Sequence, residues 1–302
     1  MTKPAILVFA YHDVGYECLD YLIQHDEYVL AVITHKDDPN EELWFRSVAD
    51  LARKYDIPVH TPETVNTPQW TERIRSWKPD LIFSFYYRSL LNEEILAVPP
   101  LGAFNMHGSL LPKYRGRVPV NWAILNGEKE TGVTLHQMVK RADAGDIVDQ
   151  EAVPIGREDT ARDVFQKCVE AARRVMERQI DALTAGAAPR RPQDDSQATV
   201  FGGRKPEDGR IDWTQSAERI YNLVRAVTTP YPGAFTEADG KRLFIWWAVP
   251  VPGGDGGTPG RVVSTDPLRV ATGDGMLEIV NWEWEEDDTR ELSAGEQLGG
   301  AA

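Results

Sequence analysis

The chain has 302 residues and a mass of 33.9 kDa, with 42% hydrophobic and 26% charged residues. Such composition is globular and excludes a disordered tail or a collagen-like rod, and at roughly 150 residues per domain the length suggests about two domains. Lys and Arg number 33 against 47 Asp and Glu, a formal net charge of -14 that disfavours general polyanion binding, although a local basic groove is compatible with it. Cys18 and Cys168 match no metal-ligand or CxxC spacing and read as two reduced thiols. The opening MTKPAILVFAYHD is too short an apolar run for a signal peptide or a membrane span, so a soluble, cytoplasmic product is expected.

Residues 5–10 (AILVFA) are apolar at every position, as in a strand covered on both faces of a parallel sheet. A helix is predicted after Gly15, with Leu19, Leu22 and Ile23 on one face, then a strand over 29–34, a helix over 43–55 and a short strand over 58–60. A helix over 67–77 ends before Pro79, and 81–86 (LIFSFY), 102–107 (GAFNMH) and 132–139 (GVTLHQMV) read as strands. Strands alternating with helices predict βαβ units and an open, mostly parallel α/β sheet. The clearest helix spans 161–186, with Thr160 as N-cap and Gly186 at its end. The polar AAPRRPQDDSQAT follows, and a domain boundary is expected there, giving domains 1–190 and 191–302. Beyond it, a Gly- and Pro-rich run (VPVPGGDGGTPG) and short runs such as RLFIWWAV, GRVVST, LRVATG and MLEIV predict a small barrel or sandwich with one helix over 217–227. This second part holds 11 Lys and Arg against 19 Asp and Glu.

The turn after the first strand, AYHDVGYE, has one glycine, which argues against a dinucleotide there; a P-loop and an HExxH motif are also missing. More informative is GAFNMHGSLLPKYRGR. Asn105 and His107 lie two apart near a strand end, so both point to one side. An amide can stabilise an oxyanion, and an imidazole can move a proton near neutral pH. Lys113, Arg115 and Arg117 follow on a loop where they could meet an anionic group. Asp143, in KRADAGD, can orient His107 if its strand neighbours that of His107. Each residue also has a plainer reading: Asn105 or His107 as a turn former, Asp143 beside Gly145 as a turn, the loop cations as solvated charges. His12, His25, His35, His60 and His136 lack a matching constellation, and His136, in mid-strand, reads as structural. Trp246, Trp247, Trp282 and Trp284 read as packing for a β core rather than as a platform for bases.

FNMHGSLLPKYRG followed by GVTLHQMVKRADAGDIV, together with FAYHDVG, FSFYYRSLL and VRAVTTPYPGAF, resembles the folate-dependent formyltransferases over nearly the whole chain. The branch most similar is the one that formylates UDP-4-amino-4-deoxy-L-arabinose, in lipid A modification and polymyxin resistance. The resemblance implies a Rossmann-like first domain, an OB-like second domain and 10-formyltetrahydrofolate as donor, with no metal. Asn105, His107 and Asp143 match the family's catalytic residues; Ser89, Leu90, Leu91, Arg117, Val139, Lys140, Arg141, Ala142 and Asp143 match its folate-contacting stretches. It also leaves the chain as a free-standing enzyme or one half of a bifunctional one, with a homo-oligomer or a separate decarboxylase as possible partners. A nucleotide-linked amino sugar is the expected acceptor, with another 4-amino sugar or initiator tRNA as alternatives; the acidic second domain argues against tRNA. A binding module built on an OB-type domain is the non-enzyme alternative.

Overall fold

The computed structural model describes residues 3–37, 43–251, 253, 257–285 and 290–299. The chain divides into two compact units: residues 1–119, 130–154 and 165–202, and residues 120–129, 155–164 and 203–302.

In the first unit, β1 (Ile6–Ala10) is buried at every position, as its uninterrupted apolar run requires. Helix α1 (His12–Gln24) packs so closely on it that a Cβ on Gly15 would lie 3.1 Å from both the Ala10 Cβ and the Phe85 carbonyl oxygen. The chain continues through β2 (Val29–Ile33), α2 (Val48–Lys54), β3 (Val59–His60), α3 (Pro68–Trp77), β4 (Leu81–Phe85), α4 (Glu93–Leu96), β5 (Ala103–His107) and β6 (Arg115–Gly116). After α5 (Pro119–Leu125), nearly all of which belongs to the second unit, come β7 (Glu130–Gln137), β8 (Ile147–Pro154), α6 (Ala161–Thr184) and β9 (Val200–Phe201). Seven strands form one sheet in the order β3-β2-β1-β4-β5-β7-β8. Its first five strands are parallel; β7 runs antiparallel to β5, and β8 antiparallel to β7. The alternating pattern of the sequence thus yields the expected mostly parallel α/β sheet.

Helix α2 is shorter than the predicted 43–55 because Ser47 caps it, its Oγ accepting the Asp50 N–H at 3.1 Å. Thr160 caps α6 as expected: Asp163 N donates to its Oγ1 while the Asp163 carboxylate accepts the Thr160 N–H, a reciprocal box. Gly186, at φ 69°, closes the other end. The polar stretch 191–202 belongs to the first unit. Arg191 exchanges both backbone hydrogen bonds with Ile147, and β9 pairs with β6. Both thiols are buried: Cys18 lies on α1 and Cys168 on α6, and burial pushes the Cys168 thiol up to about 12 and raises that of Cys18 as well.

The second unit holds α7 (Ala217–Val227), β10 (Ala234–Ala238), β11 (Lys241–Val251), β12 (Val262–Thr265), β13 (Leu268–Ala271) and β14 (Met276–Trp284). Its five strands are antiparallel in the order β10-β11-β14-β13-β12. Of the Gly- and Pro-rich run, 252 and 254–256 lie outside the described residues. The tryptophans pack: Trp246 stacks on Phe244, Trp247 meets Tyr221 edge-on, and Trp284 donates its Nε1–H to the Arg290 carbonyl. Among the described residues no helix is long and apolar enough to cross a membrane.

Candidate active site

Strand β5 lies between β4 and β7, and its register against β7 sets Asn105 opposite His136 and His107 opposite Thr134. Residues directly opposite on neighbouring strands share a face, so all four side chains project from the same side of the sheet. Thr134 bolts down the turn that follows β5: its Oγ1 donates to the Ser109 carbonyl at 2.6 Å and accepts the Leu111 N–H at 3.0 Å. Within that turn, the Tyr114 carbonyl lies 2.8 Å from His107 Nε2. A carbonyl only accepts, so Nε2 carries the proton and Nδ1 is the nitrogen left to titrate.

Nδ1 of His107 faces Asp143 Oδ1 at 3.6 Å, and His136 Nε2 lies 3.5 Å from the same oxygen. The other carboxylate oxygen accepts the Gly116 N–H at 2.9 Å. The structure therefore brings Asn105, His107 and Asp143 together. It adds His136, whose Nε2 is 3.2 Å from Asn105 Nδ2 and whose Nδ1 is 2.9 Å from the Gln137 carbonyl. His136 is 2% exposed, so its partners are these groups and not water. From the sequence His136 reads as structural; alternation along β7 places it on one face, but only the register puts it against Asn105.

Burial opposes ionisation of Asp143, yet His107, His136 and the Gly116 amide together hold its carboxyl well below the usual carboxylate range. For His107, burial pulls the imidazole down; the Asp143 carboxylate and the Tyr114 carbonyl oppose this without overcoming it. The centre is thus an anionic carboxylate beside an imidazole that gives up its proton readily.

The loop cations differ from one another. Lys113 and Arg117 are exposed, with no charged partner among the described residues. Arg115, expected with them as a free cation, is 2% exposed and committed elsewhere. Its Nε and Nη2 donate to Gln193 Oε1 at 3.2 and 2.7 Å, and Nη2 also meets Asp195 Oδ1 at 2.7 Å. Burial demands such partners for a guanidinium, and a single-sequence pattern gave no sign of them.

Of the residues matched to folate-contacting stretches, Ser89 is half-buried, Leu90 is 69% exposed and Leu91 joins the core. Asn66 holds this loop, its Nδ2 donating to the Leu90 carbonyl at 2.7 Å. His35, drawn down to about 4 by burial and then by Arg88, stays neutral and accepts the Arg88 N–H at 3.0 Å. On the other side Val139 and Ala142 are exposed, Lys140 pairs with Glu93 at 3.0 Å and Arg141 with Asp195 at 2.9 Å. The Lys140–Glu93 pair marks where the 139–143 stretch passes the start of α4, just after the 89–91 loop. No group of His, Cys, Asp or Glu suited to a metal ion occurs among the described residues.

Two family signatures cover this chain: Formyl transferase over residues 2–180, and Formyl transferase, C-terminal domain, over residues 204–296. The chain belongs to the formyl transferase family and is a formyl-transferring enzyme. Similar solved structures include an N-formyltransferase from Helicobacter canadensis in complex with folinic acid and dTDP-3-aminofucose, 22% identical with a TM-score of 0.69, the match covering 93% of this chain and 100% of that one. WlaRD, a sugar 3N-formyl transferase crystallised with dTDP and 5-N-formyl-THF, is 20% identical with a TM-score of 0.69, covering 93% and 99%. HypX from Aquifex aeolicus in complex with tetrahydrofolic acid is 20% identical with a TM-score of 0.64; the match covers 96% of this chain and 46% of HypX, so the present chain spans less than half of that protein.

Proposed function

We propose that this enzyme moves a formyl group from 10-formyltetrahydrofolate to the amine of a nucleotide-linked amino sugar. The observation that carries the reading is the convergence of Asn105, His107 and Asp143 on one face of β5, in a chain of this family. The folate compounds and dTDP-amino sugar in the similar structures support donor and acceptor class. Exposed apolar Leu90 and Val139 suit a flat pteridine, and Lys113 and Arg117 suit a carboxylate or diphosphate. The sequence likeness makes UDP-4-amino-4-deoxy-L-arabinose the first acceptor to test, with another 4-amino sugar nucleotide next. A role in lipid A modification, and a separate decarboxylase as upstream partner, stand or fall with that sugar. Initiator tRNA is disfavoured by 11 Lys and Arg against 19 Asp and Glu over residues 191–302.

The donor supplies an electrophilic formyl carbon on a nitrogen able to leave. Asn105 keeps one N–H on His136 and offers the other to the formyl oxygen as it gains negative charge; a fixed donor of this kind is worth on the order of 3 kcal/mol. As the new C–N bond forms and the old one breaks, a proton leaves the attacking amine and reaches the departing folate nitrogen. His107 Nδ1 is the position that can carry it, and the Asp143 carboxylate stabilises the imidazolium while it does so.

The test is incubation with 10-formyltetrahydrofolate and, separately, UDP-4-amino-4-deoxy-L-arabinose, other UDP- and dTDP-linked amino sugars, and charged initiator tRNA, with products read by mass spectrometry. A formylated sugar nucleotide is expected; formylation of tRNA alone rejects the acceptor class. His107→Ala and Asn105→Ala are each expected to cut turnover by orders of magnitude with the fold intact, and near-normal turnover at saturating donor removes the role assigned to that residue.

A further inference from the structure

We propose that Gln193 is a positioning residue for formyl transfer, fixing the loop that carries Asp143, and that Arg115 and Asp195 hold Gln193 in place. The proposal rests on the reading of Asp143 as part of the reacting centre. Gln193 lies on the stretch after α6, outside every residue matched to the reaction by likeness. Its Nε2 donates to the Asp143 carbonyl at 2.8 Å and to the Gly145 carbonyl at 2.7 Å. Its Oε1 accepts both bonds from Arg115. A guanidinium only donates, so the oxygen of the amide must face Arg115 and the nitrogen must face the loop; the geometry leaves no choice of flip.

Both N–H groups of Gln193 are therefore spent on the loop, one on Asp143 itself. Asp143 has a φ of 54°, in the left-handed region that aspartate tolerates better than most residues, and the two bonds from Gln193 hold the loop in that conformation. Asp195 adds a second tie, reaching Arg115 at 2.7 Å and Arg141 of the same loop at 2.9 Å. The loop is thus held at 141, 143 and 145 by two side chains of one polar segment. With Asp143 Oδ1 at 3.6 and 3.5 Å from the two imidazoles, a small displacement of the loop changes both interactions at once.

The test uses the full chain, 10-formyltetrahydrofolate and whichever of the sugar nucleotides above is formylated. Gln193→Met keeps the volume and removes the donors; kcat is expected to fall roughly 10- to 100-fold, the scale of a misplaced reacting group. Gln193→Glu keeps a partner for Arg115 but cannot donate to the loop while ionised, and is expected to lose as much. The readout that a merely structural role would not move is coupling: Gln193→Met added to Asp143→Asn should cost no more than Asp143→Asn alone. His107, titrated by NMR without substrate, should have a lower pKa in Gln193→Met than in the parent. Multiplicative losses, an unmoved His107 titration, or full activity in Gln193→Glu overturn the proposal. An inactive Asp143→Asn with a near-normal Gln193→Met removes this proposal alone, whereas a fully active Asp143→Asn removes the carboxylate reading and the proposal with it. Should Gln193→Met fail to fold, Gln193→Glu carries the same comparisons.

Discussion

Asn105 Nδ2 lies 3.2 Å from His136 Nε2 across the β5–β7 ladder, and the histidine decides which way the amide points. His136 Nδ1 donates to the Gln137 carbonyl at 2.9 Å, and Nε2, which faces both Asn105 Nδ2 and Asp143 Oδ1, accepts the amide N–H whenever it carries no proton of its own. The amide nitrogen of Asn105 is thereby turned toward it, leaving a second N–H for the formyl oxygen in the proposed reaction.

Replacing His136 with Phe keeps the ring volume and removes that acceptor. We expect kcat to fall about tenfold, the scale of one lost buried hydrogen bond, with KM for the donor within about twofold of the parent. Steady-state kinetics at saturating acceptor decide it; an unchanged kcat would mean that Asn105 is oriented by something else.

The pH profile follows from the same centre. Burial pulls His107 below its ordinary range, so the limb of kcat/KM assigned to it should fall below pH about 6.5. The Asp143 carboxylate raises that value, so Asp143→Asn should move the limb lower still. Both groups release protons more readily in the fold than in the unfolded chain, which then binds more protons as pH falls. Their contribution is present above the unfolded values and is lost on acidification, first His107 and then Asp143. Urea midpoints between pH 8 and 4 check this; a stability that rises over that interval on acidification contradicts it.

Gly116 has a φ of 101°, and a Cβ there would run into the Phe201 carbonyl oxygen. Gly116→Ala must therefore open the β6–β9 pairing and shift the N–H that holds Asp143. A loss of about 3 kcal/mol is expected, together with lower turnover, from strain plus the steric clash. Equilibrium urea unfolding measures the first and kinetics the second; a variant as stable as the parent refutes the clash.

Leu90 is 69% exposed beside the proposed donor site. Leu90→Asp should raise KM for 10-formyltetrahydrofolate severalfold and leave stability within about 0.5 kcal/mol, the range usual for exposed positions. An unaltered donor KM would move the donor away from this loop.

Much of the first unit was legible because its strands announce themselves: 5–10 is an unbroken apolar run, 81–86 is interrupted only by Ser84, and Asn105 and His107 stand at alternate positions of another. The expectation that Asp143 meets His107 was conditional on neighbouring strands, and β5 and β7 are neighbours. What pattern could not reveal was register and long-range pairing. His136 gains its partners only through being opposite Asn105, and Arg115 finds Gln193 and Asp195 some 78 and 80 residues away. That segment is polar and broken by Pro189 and Pro192, features equally expected of a connecting stretch, so its part in bracing the Asp143 loop left no local trace. Strand β8, whose polar Asp149, Gln150 and Glu151 interrupt the apolar pattern, escaped for a similar reason.

The burial of Cys18 and Cys168 has a practical consequence. With both thiols far from ionised at neutral pH, maleimides should leave the native protein unlabelled. A cysteine introduced at the exposed Leu90 position would then take a fluorophore selectively, turning the rim of the proposed donor site into a direct optical reporter of ligand arrival.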